Sequence, residues 1–69
     1  MKIKNVSEFG NIIKQRRKDL GYTQSDISEA TGLSVTFISD LENGKKTIEF
    51  GKALILANML GLDMEIKER

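Results

Sequence analysis

The chain contains no cysteine, no histidine and no proline. Without cysteine, neither a disulfide nor a thiolate-bound metal can hold the fold together. Without histidine, the usual general base and the commonest metal ligand are both missing. No apolar run approaches the roughly 20 residues that cross a bilayer. The opening residues, Met1, Lys2, Ile3, Lys4 and Asn5, lack the apolar stretch of a secretory leader. The expectation is therefore a cytoplasmic protein with no membrane segment. No phosphate-cradling glycine loop, metal-ligand cluster or serine–base arrangement is visible. Glu65 and Glu68 fall in a tail, where they make a poor acid–base pair. The expectation is no enzymatic activity, no metal and no cofactor.

With 69 residues the chain is one domain, close to the lower size limit for independent folding. Apolar residues make up 39% and charged residues 30%, a globular rather than a disordered balance. The net charge of +1 says less than its distribution. Lys14, Arg16, Arg17 and Lys18 form one basic cluster and Lys45 with Lys46 a second, while Asp63, Glu65 and Glu68 gather near the C-terminus. Such patches either face phosphate or are solvated helix faces.

In the absence of proline, glycine punctuates the chain. Gly21, Gly32, Gly44 and Gly61 each follow a stretch of helical periodicity, where a left-handed residue would end it. Gly10 and Gly51 instead fall inside predicted helices. A first helix is expected from about Glu8 to Leu20, capped by Ser7, with Phe9, Ile12, Ile13 and Leu20 on one face and Arg16 at its edge. A second is expected after Thr23, with Tyr22 and Ile27 spaced as a hydrophobic staple, ending at Thr31 and Gly32. Ser34 caps a third that ends at Asn43, with Leu33 and Ile38 at the same spacing. A fourth starts near Ile48 or Glu49 and runs to Leu60, with Phe50, Ala53, Leu54, Ala57 and Leu60 as its stripe. Ile27, Leu33, Ile38, Leu41, Phe50 and Leu54 are the expected core.

Only Gly32, Leu33 and Ser34 separate the second and third helices, the connection of two short helices that meet at a steep angle. After Gly61, Leu62, Met64 and Ile66 alternate with Asp63, Glu65 and Lys67, which reads as a strand. Its possible partners are residues 1–6 or the same strand of a second subunit across a two-fold axis; a frayed tail or a further helical turn is the alternative.

The run from Thr23 to Gly44 reads TQSDISEATGLSVTFISDLENG. It resembles the helix-turn-helix of the Xre and lambda-repressor-like family through Gln24, Ile27 with Ser28, Gly32 with Leu33, and Ile38, Ser39, Leu41, Glu42 and Gly44. The resemblance extends over about residues 7–61. Ser28 departs from it, since the family usually has alanine there. The tail from Leu60 to Ile66 is similar to the helix-to-strand ending of HipB-like antitoxins. The resemblance implies an all-α fold of four or five helices, with the helix-turn-helix at 23–44 and a short C-terminal strand at about 62–67 that joins two subunits. It also implies a transcriptional repressor that binds double-stranded DNA as a homodimer, and a dimer that often binds a toxin as well.

In such a motif the second helix enters the major groove with its first residues toward base edges. Ser34, Val35, Thr36, Ser39 and Asp40 are then the candidates for base contact. Val35 and Thr36 suit a thymine methyl, the serines suit bases or phosphates, and Asp40 suits a cytosine amino group. For Ser34 the alternative role is a helix cap, and for Asp40 an ordinary exposed residue. By resemblance Gln24 is a phosphate contact, and Asn43, Lys45 and Lys46 are a second phosphate clamp. Phe37 is expected either half-exposed beside the DNA backbone or packed beside the fourth helix. Arg17 and Glu42 match a family ion pair whose role is mainly structural, with a phosphate contact as the alternative for Arg17. Leu62, Met64 and Ile66 are the expected dimer interface. The competing function is a protein-binding module that neutralises or docks a partner, with DNA binding secondary.

Overall fold

Asparagine at position 5 begins the first helix. In the computed structural model, which describes residues 2–69, the Asn5 Oδ1 accepts from the Glu8 amide at 2.9 Å, and Glu8 Oε2 accepts from the Lys4 amide at 2.7 Å. The helix α1 (Val6–Asp19) therefore starts two residues before the expected position. Ser7 lies inside it, not at its cap. Three further helices complete the described secondary structure: α2 (Gln24–Thr31), α3 (Val35–Glu42) and α4 (Phe50–Met59). None is long and apolar enough to cross a membrane.

Local chemistry sets most of the other ends. Thr23 accepts from the Asp26 amide at 3.0 Å while Asp26 accepts from the Thr23 amide at 2.8 Å, a reciprocal capping box. Ser34 caps α3 by accepting from the Phe37 amide at 3.0 Å. Gly32 closes α2 at φ 77°, its amide donating to the Ser28 carbonyl. Only a residue without Cβ takes that conformation without strain. At the far end of the chain, Gly61 turns at φ 75° and the Leu62 amide donates back to the Ala57 carbonyl at 2.9 Å.

Helices α2 and α3 have eight residues each, below the roughly 12–15 that are marginally stable alone. Packing holds them. Phe9 and Ile13 of α1, Ile27 of α2, Ile38 and Leu41 of α3, and Ala53, Leu56 and Ala57 of α4 with Leu60 form one core. Ile13, Ile38, Leu41 and Leu56 are fully buried, and each such side chain contributes about 1.5–3 kcal/mol of apolar transfer.

Three expected core positions differ. Phe50 is 59% exposed, and Leu33 and Leu54 are only half-buried. The buried stripe of α4 is centred on Leu56, not Leu54. The segment FGKALILANML is apolar on almost every side, so its period does not fix which face turns inward. Leu20 and Tyr22 are likewise exposed, at the open end of α1.

Among the described residues there is no strand. Leu62 packs against the core, but Met64 and Ile66 are exposed and the tail carries no ladder. A strand needs a neighbour for its backbone groups. The N-terminal segment does not provide one, because Val6 already belongs to α1; Met1 lies outside the described residues.

Candidate nucleic-acid interface

Helix α3 has one face that the fold holds and one that it leaves open. Ile38 and Leu41 are fully buried, whereas Val35 and Thr36 in the first turn are exposed. Ser39 and Asp40, a turn later, are half-buried. Ser34 is exposed at the cap. Its oxygen accepts one amide, which leaves the hydroxyl proton free to donate.

The turn before α3 is stitched by side chains. Ser28 Oγ donates to the Leu33 carbonyl at 2.6 Å. Thr31 Oγ1 donates to the Ile27 carbonyl at 2.8 Å and accepts from the Leu33 amide at 3.1 Å. An alanine at position 28 would leave the Leu33 carbonyl without that donor, so the one departure from the family pattern has a local use. The result is a turn with little freedom to change the angle between α2 and α3.

The end of α3 is fixed as firmly. Arg17 Nε and Nη2 donate to the two Glu42 oxygens at 2.8 and 2.9 Å, a bidentate pair whose side chains are 10% and 2% exposed. Arg17 Nη1 also donates to the Tyr22 carbonyl at 2.8 Å. Gln24 Nε2 donates to Glu42 Oε1 at 3.2 Å. Burial pushes the Glu42 carboxyl up. The bonds from Arg17 and Gln24, with the charges of Arg17 and Lys14 close by, outweigh it and hold the group below its ordinary value. The Arg17 guanidinium is raised, chiefly by its bond to Glu42. One network thus joins α1, the start of α2 and the end of α3.

Gln24 apart, the residues singled out for phosphate lie on α3 or just after it. Asn43 is exposed, with its amide 3.4 Å from Ser39 Oγ. Lys46 is exposed. Lys45 lies 3.4 Å from Asp40 Oδ2, a solvated pair of small energetic value that offsets a carboxylate on an otherwise open face. Phe37 is half-buried against the core, with the Lys52 ammonium 5.9 Å from its ring centre.

Two glycines also belong to the site: Gly44, expected at the end of α3, and Gly10, which the sequence marks only as a glycine inside a helix. A Cβ on Gly10 would collide with the Leu41 carbonyl oxygen and stand 3.1 Å from the Glu42 carbonyl. Gly44, at φ 78°, would place a Cβ 2.9 Å from the Ser7 Cα. Helix α3 and the residue that ends it thus lie directly on the backbone of α1. A glycine in a helix interior, at a cost of about 1 kcal/mol against alanine, was the available signal.

Two short helices joined by a rigid three-residue turn, the second with an open first turn, form a helix-turn-helix. The helix-turn-helix family model HTH_3 matches residues 13–67, and the chain belongs to this family of DNA-binding regulators. It is 32% identical over 65 residues to the uncharacterized HTH-type transcriptional regulator y4mF of Sinorhizobium fredii, covering 94% of this chain and 86% of that protein. It is 30% identical over 59 residues to the ImmF control region 10 kDa protein of Bacillus phage phi105, covering 86% of this chain and 66% of that one. Among solved structures, the fold is similar to a HipB–O4 20mer complex, with a TM-score of 0.89, 25% identity, and coverage of 99% of this chain and 96% of that one. A HipA–HipB–O2–O3 complex matches with the same TM-score, identity and coverage.

Proposed function

We propose that the protein is a cytoplasmic repressor, a single unit over residues 1–69, that binds an inverted-repeat operator as a homodimer. The observation that carries this reading is the open first turn of α3, Val35 and Thr36, on a helix whose other face is buried and whose end is locked to α1. Ser34, Val35, Thr36, Ser39 and Asp40 then face base edges, with Thr36 and Val35 reading thymine methyls. Gln24, Phe37, Asn43, Lys45 and Lys46 hold the flanking backbone. Their task is positioning, since phosphate contacts carry no sequence information. Gln24 exchanges its bond to Glu42 for one to phosphate, helped by the positive end of α2. Arg17 and Glu42 set the angle of the reading helix.

One subunit makes few contacts. A two-fold pair doubles them and calls for half-sites roughly 34 Å apart. The tail at residues 62–67 is the joining element: Leu62, Met64 and Ile66 alternate, and Met64 and Ile66 are exposed in the single chain. A strand formed there only in the dimer satisfies its backbone against its own copy. The likeness to a structure that holds HipA together with HipB supports a second role, as the antitoxin of a partner toxin.

Binding to a library of random duplexes at two salt concentrations tests the proposal. An enriched palindrome with steep salt dependence is the expected result. Weak, unselective binding at both concentrations would favour a protein partner as the principal ligand.

A further inference from the structure

On α1, Lys14 stands four residues after Gly10 and three before Arg17, so the three share one edge of the helix. Both neighbours meet the end of α3: Gly10 lies against the carbonyls of Leu41 and Glu42, and Arg17 is bonded to the Glu42 carboxylate. Lys14 is exposed on that same edge. The Glu42 charge that it approaches is already matched by Arg17, so Lys14 adds a positive charge that the end of α3 does not need for itself. Among the described residues Lys14 and Lys46 form no ion pair, whereas Lys45 is matched with Asp40.

We infer that Lys14 is a further phosphate-contacting residue, completing with Gln24, Asn43 and Lys46 an anion seat that wraps the end of α3. The inference rests on the operator-binding reading and deepens it. Gln24 reaches Glu42 from the α2 side, Asn43 follows Glu42 in the chain, and Lys14 flanks Glu42 from the α1 side. In the proposed seat, a phosphate held by the first two is met by Lys14 from the edge of α1 that faces the end of α3. A lysine on a flexible four-carbon stem suits this task, which needs charge and reach but no fixed geometry. The DNA footprint then includes the middle of α1 as well as the helix-turn-helix.

The test is the salt dependence of binding to the enriched duplex for the wild type, Lys14→Ala, Lys14→Arg and Lys2→Ala. The last is exposed ahead of α1, away from both the helix-turn-helix and the joining tail. Each lost phosphate contact lowers the log–log slope by about 0.9. The expected result is a slope lower by about that amount per subunit for Lys14→Ala, with the same preferred sequence and an unchanged urea midpoint. Lys14→Arg should keep the wild-type slope, and so should Lys2→Ala. A steep wild-type slope left intact in Lys14→Ala overturns the assignment of Lys14 alone. An equal drop in Lys2→Ala also overturns it, because general charge would then account for the effect. A shifted urea midpoint in Lys14→Ala would make the residue a support for Glu42 and overturn the contact. A flat wild-type slope with no preferred sequence overturns the operator-binding reading itself, and this inference with it.

Discussion

Replacing Glu42 by alanine would remove the carboxylate that joins three helices. The change deletes two charge-assisted bonds from Arg17, at 2.8 and 2.9 Å, and one from Gln24 at 3.2 Å. The Arg17 guanidinium, 10% exposed, would keep only the Tyr22 carbonyl as a protein partner. Removing one partner of a buried pair costs about 3–5 kcal/mol, since the remaining charge is uncompensated. The two lost bonds from Arg17, at about 1.5–3 kcal/mol each, give about 3–6 kcal/mol, an overlapping range. At about 0.05–0.15 kcal/mol per residue a domain of this length has roughly 3–10 kcal/mol of stability, so the variant should lose a large share of it. Urea unfolding followed by circular dichroism measures this directly. The double variant Arg17→Met with Glu42→Leu should recover most of the loss, because an apolar pair of similar size replaces the ions. A loss below about 1 kcal/mol in Glu42→Ala would place the pair among weak, solvated bridges and contradict its role as the joint of three helices.

Gly10→Ala should destabilise the fold by about 1–3 kcal/mol, as an overpacked contact does, and push α3 away from α1; the urea midpoint gives the first effect and weakened operator binding the second. The Glu42 carboxyl is held below the ordinary glutamate value near 4.5, so its contribution is complete above that pH and lost as pH falls through the lower folded value. Stability should decline with acid in that window, and Glu42→Gln should have a shallower decline, whatever its absolute stability. Asp26, held low chiefly by its bond from the Thr23 amide, adds a slope of the same sign in both proteins. Deleting residues 62–69 should leave a folded, largely monomeric chain with little operator affinity by sedimentation and titration. A truncated chain that remains a tight dimer would move the interface to α1 or α4.

The legible parts of the fold were those set by neighbours in sequence. Thr23 and Ser34 cap the helices next to them, and Gly21, Gly32, Gly44 and Gly61 all adopt positive φ at helix ends, because those bonds close within a few residues. At the start of α1 the sequence points to Ser7, beside the apolar run, whereas Asn5, with Glu8 at the capping-box spacing, caps the helix. The inward face of α4 was not legible, since a segment apolar on nearly every side has no preferred orientation until α1 and α3 are placed against it. Tertiary contacts explain the rest. The need for glycine at position 10 is visible only once Leu41 lies across it, and the value of Ser28 only once its hydroxyl meets the Leu33 carbonyl.

In the proposed complex the first turn of α3 reads base pairs while the residues around its end hold phosphate. A comparison of Thr36→Ala and Lys46→Ala on the enriched duplex and on its single-base variants separates the two roles. The expected result is a changed preference at one base pair for Thr36→Ala, and a uniform weakening on every sequence for Lys46→Ala. Equal losses from both variants on all sequences would contradict the division of labour and the placement of α3 in the groove.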